Sequence, residues 1–120
     1  MRYTMLAGKI HRATVTDTNL DYEGSITIDQ DLLEAARIPP FAQVQIYNIA
    51  NGERFETYAI VGDRGSGSMA LNGAAAHKAS PGDLIIVACY IHVDAKDAHA
   101  HKPSLVYVDA GNAIVEKKEG

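Results

Sequence analysis

Apolar residues in this chain come in strict alternation or in short blocks, and turn-forming residues interrupt each block before it reaches helical length. A buried helix needs apolar positions three or four apart over ten or more residues, so this rhythm commits most of the chain to β structure. Strands are expected near residues 3–7, 9–16, 23–28, 43–49, 53–61, 68–72, 83–92 and 104–108. The plainest unit is the pair 43–49 and 53–60 around Asn51-Gly52, a dipeptide that accepts the positive φ angles of a tight hairpin and so predicts antiparallel pairing. A short helix is expected from Asp29, whose side chain can cap the first turn. It carries Leu32, Leu33 and Ala36 inward until Pro39 and Pro40 stop it. A second helical turn is expected over 74–77, ahead of the turn at Ser80-Pro81-Gly82-Asp83. Many short strands with two small helices suggest a compact barrel, and the polar residues after about Gly111 suggest a frayed tail.

With 120 residues and no long polar insert, the chain is within reach of one hydrophobic core, so one domain is expected over 1–120. No apolar run approaches the roughly 20 residues of a membrane helix. The start, Met1-Arg2-Tyr3-Thr4-Met5, lacks the apolar stretch of a signal peptide, and a cytoplasmic protein is expected. A formal net charge of -4 with no cluster of Lys and Arg argues against nucleic acid or an anionic membrane as partner. The single cysteine, Cys89, follows Ile85-Ile86-Val87-Ala88 and reads as a buried thiol rather than a nucleophile.

Several local patterns offer chemistry and fail on context. Gly65-Ser66-Gly67-Ser68-Met69-Ala70 imitates part of a dinucleotide fingerprint but leads into an apparent strand with no βαβ unit, so a flexible loop is the better reading. His92, His99 and His101 with Asp94 and Asp97 match no regular zinc spacing, and a solvated connection is expected there. Gly-Ser occurs at 24, 65 and 67. Only Gly24-Ser25 follows Asp21-Tyr22-Glu23 and opens an apolar strand.

Read together, the blocks Gly8-Lys9-Ile10-His11-Arg12, Tyr22-Glu23-Gly24-Ser25, Ile28-Asp29-Gln30-Asp31, Asn51-Gly52, Arg54-Phe55, Thr57-Tyr58-Ala59-Ile60, Arg64-Gly65-Ser66 and Asn72-Gly73-Ala74-Ala75-Ala76-His77 resemble the aspartate 1-decarboxylases in order and spacing. The resemblance covers roughly residues 1–110, and its most specific blocks are Tyr22 to Ser25 and Asn72 to His77. It implies a double-psi β-barrel and a homotetramer with active sites between neighbouring subunits. It also implies a proenzyme that cuts itself between Gly24 and Ser25 into a β chain, 1–24, and an α chain, 25–120. Ser25 would become a pyruvoyl group, the cofactor, with no metal involved. The implied reaction converts L-aspartate to β-alanine and CO2 for pantothenate synthesis, and a maturation factor is a possible further partner.

The residues make chemical sense of those implications. A serine hydroxyl that attacks the carbonyl before it turns a peptide into an ester, and elimination followed by hydrolysis leaves a terminal ketone and ammonia. Such an attack calls for a tightly turned backbone, for which glycine at position 24 is suited. By resemblance, Asn72 and Thr57 assist maturation as oxyanion partners; on its residues alone, Asn72-Gly73 reads as a simple turn. The ketone would form a Schiff base with the substrate amine and accept the electron pair left by CO2, as pyridoxal phosphate does elsewhere. Lys9 and Arg54 match the family's substrate cations, with Arg54 the bidentate anchor for the side-chain carboxylate. Read without the resemblance, Arg54 is an exposed strand residue beside Glu53 and Glu56. Tyr58 matches the proton donor, a phenol that stays protonated at neutral pH, though alone it would be a packed strand aromatic. Thr57, Gly73, Ala74 and Ala75 match the substrate-contacting positions. Thr57 and Tyr58 point to opposite faces of an ideal strand, so either a bulge intervenes or they serve different subunits.

Two departures from the family pattern stand out. Tyr47 occupies a position where relatives often carry Trp, and Lys78 one where they can carry Cys, the latter expected to be surface variation. Three alternatives remain open at this level: a decarboxylase of a related acidic amino acid, a catalytically silent barrel used for binding, and an unrelated small β protein with Ser25 on an ordinary strand surface.

Overall fold

In a computed structural model that describes residues 1–120, the alternating segments form nine strands: β1 (Arg2–Thr14), β2 (Asp17–Asn19), β3 (Ser25–Asp29), β4 (Gln43–Asn48), β5 (Arg54–Gly62), β6 (Met69–Asn72), β7 (Leu84–Asp94), β8 (Ser104–Val108) and β9 (Ile114–Glu119). They join in the order β2-β6-β3-β5-β4-β7-β1-β8-β9. Backbone bonds from Thr16 to Met69, Val15 to Asp83 and Gly82 to Val15 tie the end of β1 to the starts of β6 and β7. The sheet is thereby coiled round its apolar face into a mainly β barrel. Ile10, Ile26, Ile28, Ile46, Leu71 and Val87 meet inside with no exposed surface. Three parallel pairings, β1 with β8, β2 with β6 and β3 with β5, require crossovers, and the connection from β3 to β5 runs through helix α1 (Gln30–Ala35) and β4. No helix is long and apolar enough to cross a membrane.

Helix α1 begins as expected: the Asp29 carboxylate accepts from the Asp31 N–H at 2.8 Å, and Leu32, Leu33 and Ala36 are buried. The same carboxylate, 3 % exposed, also accepts from the N–H groups of Gly65 and Gly67 at 3.1 and 2.8 Å. The glycine-rich segment expected as a flexible loop is therefore fastened to the helix cap. Burial alone would raise the Asp29 pKa; the three N–H donors and the nearby Arg64 outweigh it and hold the carboxyl below its ordinary value.

Several boundaries differ from the sequence expectation. The strands expected at 3–7 and 9–16 merge into one long strand, β1, that ends at Thr14, with register shifts between Leu6 and Gly8 and between Ile10 and Ala13. Gly8 does not end it. A Cβ there would fall on the Ala36 carbonyl, so glycine lets the end of the helix press on the strand. The hairpin between β4 and β5 pairs antiparallel as expected, but through a longer loop: Gly52 donates back to the Asn48 carbonyl, and of Asn51 and Gly52 only Gly52 has positive φ. The helical turn after Asn72 is a 3₁₀ helix, Gly73–Lys78. A second 3₁₀ helix, Ala95–Ala100, occupies the segment expected as a solvated connection, and the following His101 Nε2 lies 2.6 Å from the Leu6 carbonyl oxygen. The tail after Gly111 is not frayed. Asn112, 2 % exposed, exchanges bonds with both backbone groups of Thr14 and donates to the Gly67 carbonyl, and β9 then pairs antiparallel with β8.

Candidate active site

Ser25 opens β3, opposite Asn72 at the end of β6. Its side chain is buried, 1 % exposed, which removes the reading of an ordinary surface serine. The hydroxyl donates to the Glu23 carbonyl at 3.3 Å and accepts from Asn72 Nδ2 at 3.0 Å. The same amide donates to Thr27 Oγ1 at 3.0 Å. Asn72 sits where a helix cap would, but makes no side-chain bond to the helix that follows. Its amide is aimed at the Ser25 hydroxyl and so restricts the rotamer of that side chain.

The glycine that geometry demands is Gly73. It has φ +64°, and a Cβ there would lie 2.7 Å from Gly24 N and Cα and 2.9 Å from the Tyr22 carbonyl oxygen. No side chain fits, so the backbone of 73 can press against the Gly24 segment only as glycine. Gly24 itself has no positive φ, and a Cβ on it would meet nothing within 4 Å. The backbone strain expected at Gly24 is not found in its φ; what this residue provides is open access.

That opening is a shallow cleft of about 280 Å³ lined by Gly24, Phe55, Thr57, Ala74, Ala75 and Lys78, with Glu56 at its edge. Thr57 thus joins Gly24, Ala74 and Ala75, as the family pattern implies. Lys78, expected as surface variation, stands on the rim of this cleft, with Nζ 3.4 Å from Glu53 Oε2. Its place could not be read from spacing, because the tight 3₁₀ turn decides which residue of 73–78 faces the opening.

The remaining site residues lie elsewhere on the protomer. The register of β4 and β5 is unbroken from Tyr47↔Arg54 to Gln43↔Tyr58. No bulge intervenes, and Thr57 and Tyr58 face opposite sides. Tyr58 is partly exposed, its ring centroid 6.5 Å from that of Phe41. Arg54 has its guanidinium carbon 3.9 Å from the centroid of the Tyr47 ring. Neither flanking carboxylate holds it: Glu53 pairs with Lys78, and Glu56 accepts from the amides of Gln43 and Gln45 at 2.6 and 2.9 Å.

Lys9 lies on β1, separated from β5 in the sheet by β7 and β4. Its ammonium is 3.4 Å from His11 Nδ1 and 6.0 Å from the centroid of the Tyr107 ring, which His11 meets edge-on at 5.5 Å. Burial, then the charges of Lys9 and Arg12, push the His11 pKa below its ordinary value, so at neutral pH the imidazole is an uncharged acceptor for Lys9. Neither Lys9 nor Arg54 has a carboxylate partner. One protomer therefore carries Ser25 with its cleft in one place, and Arg54 and Tyr58 on β5 and Lys9 on β1 outside it. Cys89 belongs to neither. It is buried against the Gln43 carbonyl, and burial raises its pKa.

Comparison with known proteins shows the family of the chain. The family model described as aspartate decarboxylase matches residues 1–115. A protein of Pelotomaculum thermopropionicum named aspartate 1-decarboxylase is 56% identical over the whole of this chain and 91% of its own length. Proteins with the same name from Alkalilimnicola ehrlichii, 52% identical over the whole chain and 95% of the relative, and Syntrophus aciditrophicus, 56% identical over 95% of this chain and 98% of the relative, are similar throughout.

Proposed function

The chain belongs to the aspartate decarboxylase family, and from that premise we propose that it removes the α-carboxylate of L-aspartate to give β-alanine, using a pyruvoyl group that it makes from Ser25. The observation that carries this reading is the Ser25 hydroxyl: buried, fixed between Asn72 and Glu23, and next to an unobstructed Gly24. In maturation the Ser25 Oγ attacks the Gly24 carbonyl carbon and displaces the amide nitrogen, leaving an ester. Elimination across Cα and Cβ then releases the Gly24 carboxylate and ends 1–24. Water converts the new terminus of 25–120 to a ketone with loss of ammonia. Asn72 prepares this step by holding the hydroxyl in one rotamer, and Gly73 prepares it by bracing the Gly24 backbone.

The residues present fit the cofactor. Ser25, whose Cα would become the keto carbon and whose Cβ the methyl, is enclosed, and Ala74 and Ala75 are too small to fill the cleft beside Gly24. A pyruvoyl group supplies an electron sink that no protein side chain provides, and each tenfold in rate requires about 1.36 kcal/mol from it and its surroundings. Arg54 offers two parallel N–H donors to the distal carboxylate, and Lys9 a second charge. Holding the distal carboxylate rather than the departing one avoids stabilising the ground state more than the transition state. Tyr58 gives its phenolic proton to the carbon that CO2 leaves.

Because Lys9, Arg54 and Tyr58 lie apart from the Ser25 cleft in one protomer, we take the working site to be completed by a neighbouring subunit in a homotetramer, a closed arrangement natural to a small protomer. The reading includes a cytoplasmic enzyme whose product feeds pantothenate synthesis, and it leaves room for a maturation factor. Intact mass of the purified protein, before and after borohydride reduction with aspartate present, tests it. Two fragments divided after Gly24, the larger gaining substrate mass, are expected. Ser25→Ala should stay whole and inactive. An active protein that is one unbroken chain with an ordinary serine at 25 overturns the proposal.

A further inference from the structure

The outer face of β4, β5 and β7 carries two phenols that the proposed reaction does not use. Tyr47 and Tyr90 share a hydrogen bond between their hydroxyls at 2.9 Å, and Arg54 lies over the Tyr47 ring at 3.9 Å. The roots of this stack are fixed by the sheet, because Tyr47 is paired with Arg54 across β4 and β5. Its far end is fixed only by the bond to Tyr90. A guanidinium at this distance is held by the ring's negative face, which leaves its N–H edge free for a carboxylate. Glu56, the neighbour best placed to pull it away, is occupied by Gln43 and Gln45. Tyr90 itself is partly exposed, and the hydroxyl bond to Tyr47 and burial raise its pKa, so its phenol stays protonated at neutral pH.

We infer that Tyr90 is a positioning residue: through Tyr47 it sets the plane of Arg54 and thereby the chain length of the dicarboxylate that the site accepts. The inference rests on the reading of Arg54 as the anchor of the distal carboxylate. Charge alone does not measure length, since a swinging guanidinium meets the carboxylate of aspartate or of its one-methylene-longer homologue equally well. A guanidinium held flat on a ring whose far end is tethered meets only one of them at the right distance from the reacting carbon.

Tyr90→Phe keeps the ring and removes the tether. It should raise the aspartate KM by about three- to tenfold, the worth of one hydrogen bond, while kcat changes by less than about twofold. The preference for aspartate over glutamate in kcat/KM should fall by a similar factor. Calorimetric affinity for succinate, which has both carboxylates and no amine, should weaken in parallel without any turnover. Tyr47→Phe should behave alike, and the double variant no worse than either single one. Arg54→Lys separates the two levels of the reading. If it leaves aspartate KM and succinate affinity unchanged, the anchor assignment falls and the inference with it. If it weakens both while the two phenol variants weaken neither, the inference alone is overturned. The inference is likewise overturned if Tyr90→Phe has the same effect on the Arg54→Lys background as on the parent.

Discussion

Ser25 and Asn72 meet because β3 and β6 pair in the one register that sets them opposite each other. The proposed cutting step needs the hydroxyl aimed at its own preceding carbonyl, and Asn72 Nδ2 removes its rotational freedom. Asn72→Ala should slow cutting by about 100-fold, the size expected of a misplaced nucleophile, in a chain that still folds; conversion followed by mass over hours checks this. Asp29 is a different kind of residue, with one buried carboxylate closing three backbone N–H groups from two segments. Asp29→Asn should lower stability by about 1–3 kcal/mol, because an amide leaves a buried N–H without an acceptor. The pH sign follows from the lowered pKa: the contribution is complete above the value of the unfolded chain and is lost as pH falls through the folded value. Acid unfolding followed by circular dichroism should therefore separate the two proteins at neutral pH and bring them together at low pH.

At the scale of elements, the legible parts were those where one face is apolar and the other polar. The pattern of β4 and β5 is plain, and so is the capped helix that carries Leu32 and Leu33 inward. β9 was not legible, because all six of its residues are exposed and an edge strand with no buried face leaves no alternation to read. Nor were the kinks within β1, where the register shifts come from packing against β7 and α1 rather than from a turn residue. This gives β9 and its anchor different weights. Removing residues 114–120 should lower the melting temperature by only a few degrees, since the core contains nothing beyond Val106 apart from the flanking Val108. Asn112→Ala should cost about 1–3 kcal/mol, more than the strand it introduces, because it strands the buried backbone groups of Thr14 and Gly67. Thermal melts of the two variants side by side decide the order.

For the whole molecule, the division of the proposed site between two regions of one protomer makes a prediction about mixtures. Ser25→Ala and Arg54→Ala chains should each be inactive alone. Co-expressed, they should recover about a quarter of the parent activity if each site draws Ser25 and Arg54 from different subunits of a closed ring. No recovery is expected if both residues act within one chain. The amino-acid sequence by itself determined the class of fold, the helix cap and the buried thiol, because those follow from periodicity, local hydrogen bonding and the chemistry of side chains; the reactive candidates were named by the family resemblance of its blocks. Only the tertiary structure decided that Gly73 rather than Gly24 is the sterically required glycine, that Lys78 stands at the cleft, and that Arg54 is left free by both neighbouring carboxylates. Each depends on which atoms of distant segments come within a few ångströms of one another, a quantity fixed by strand register and crossover and by nothing local to the residue.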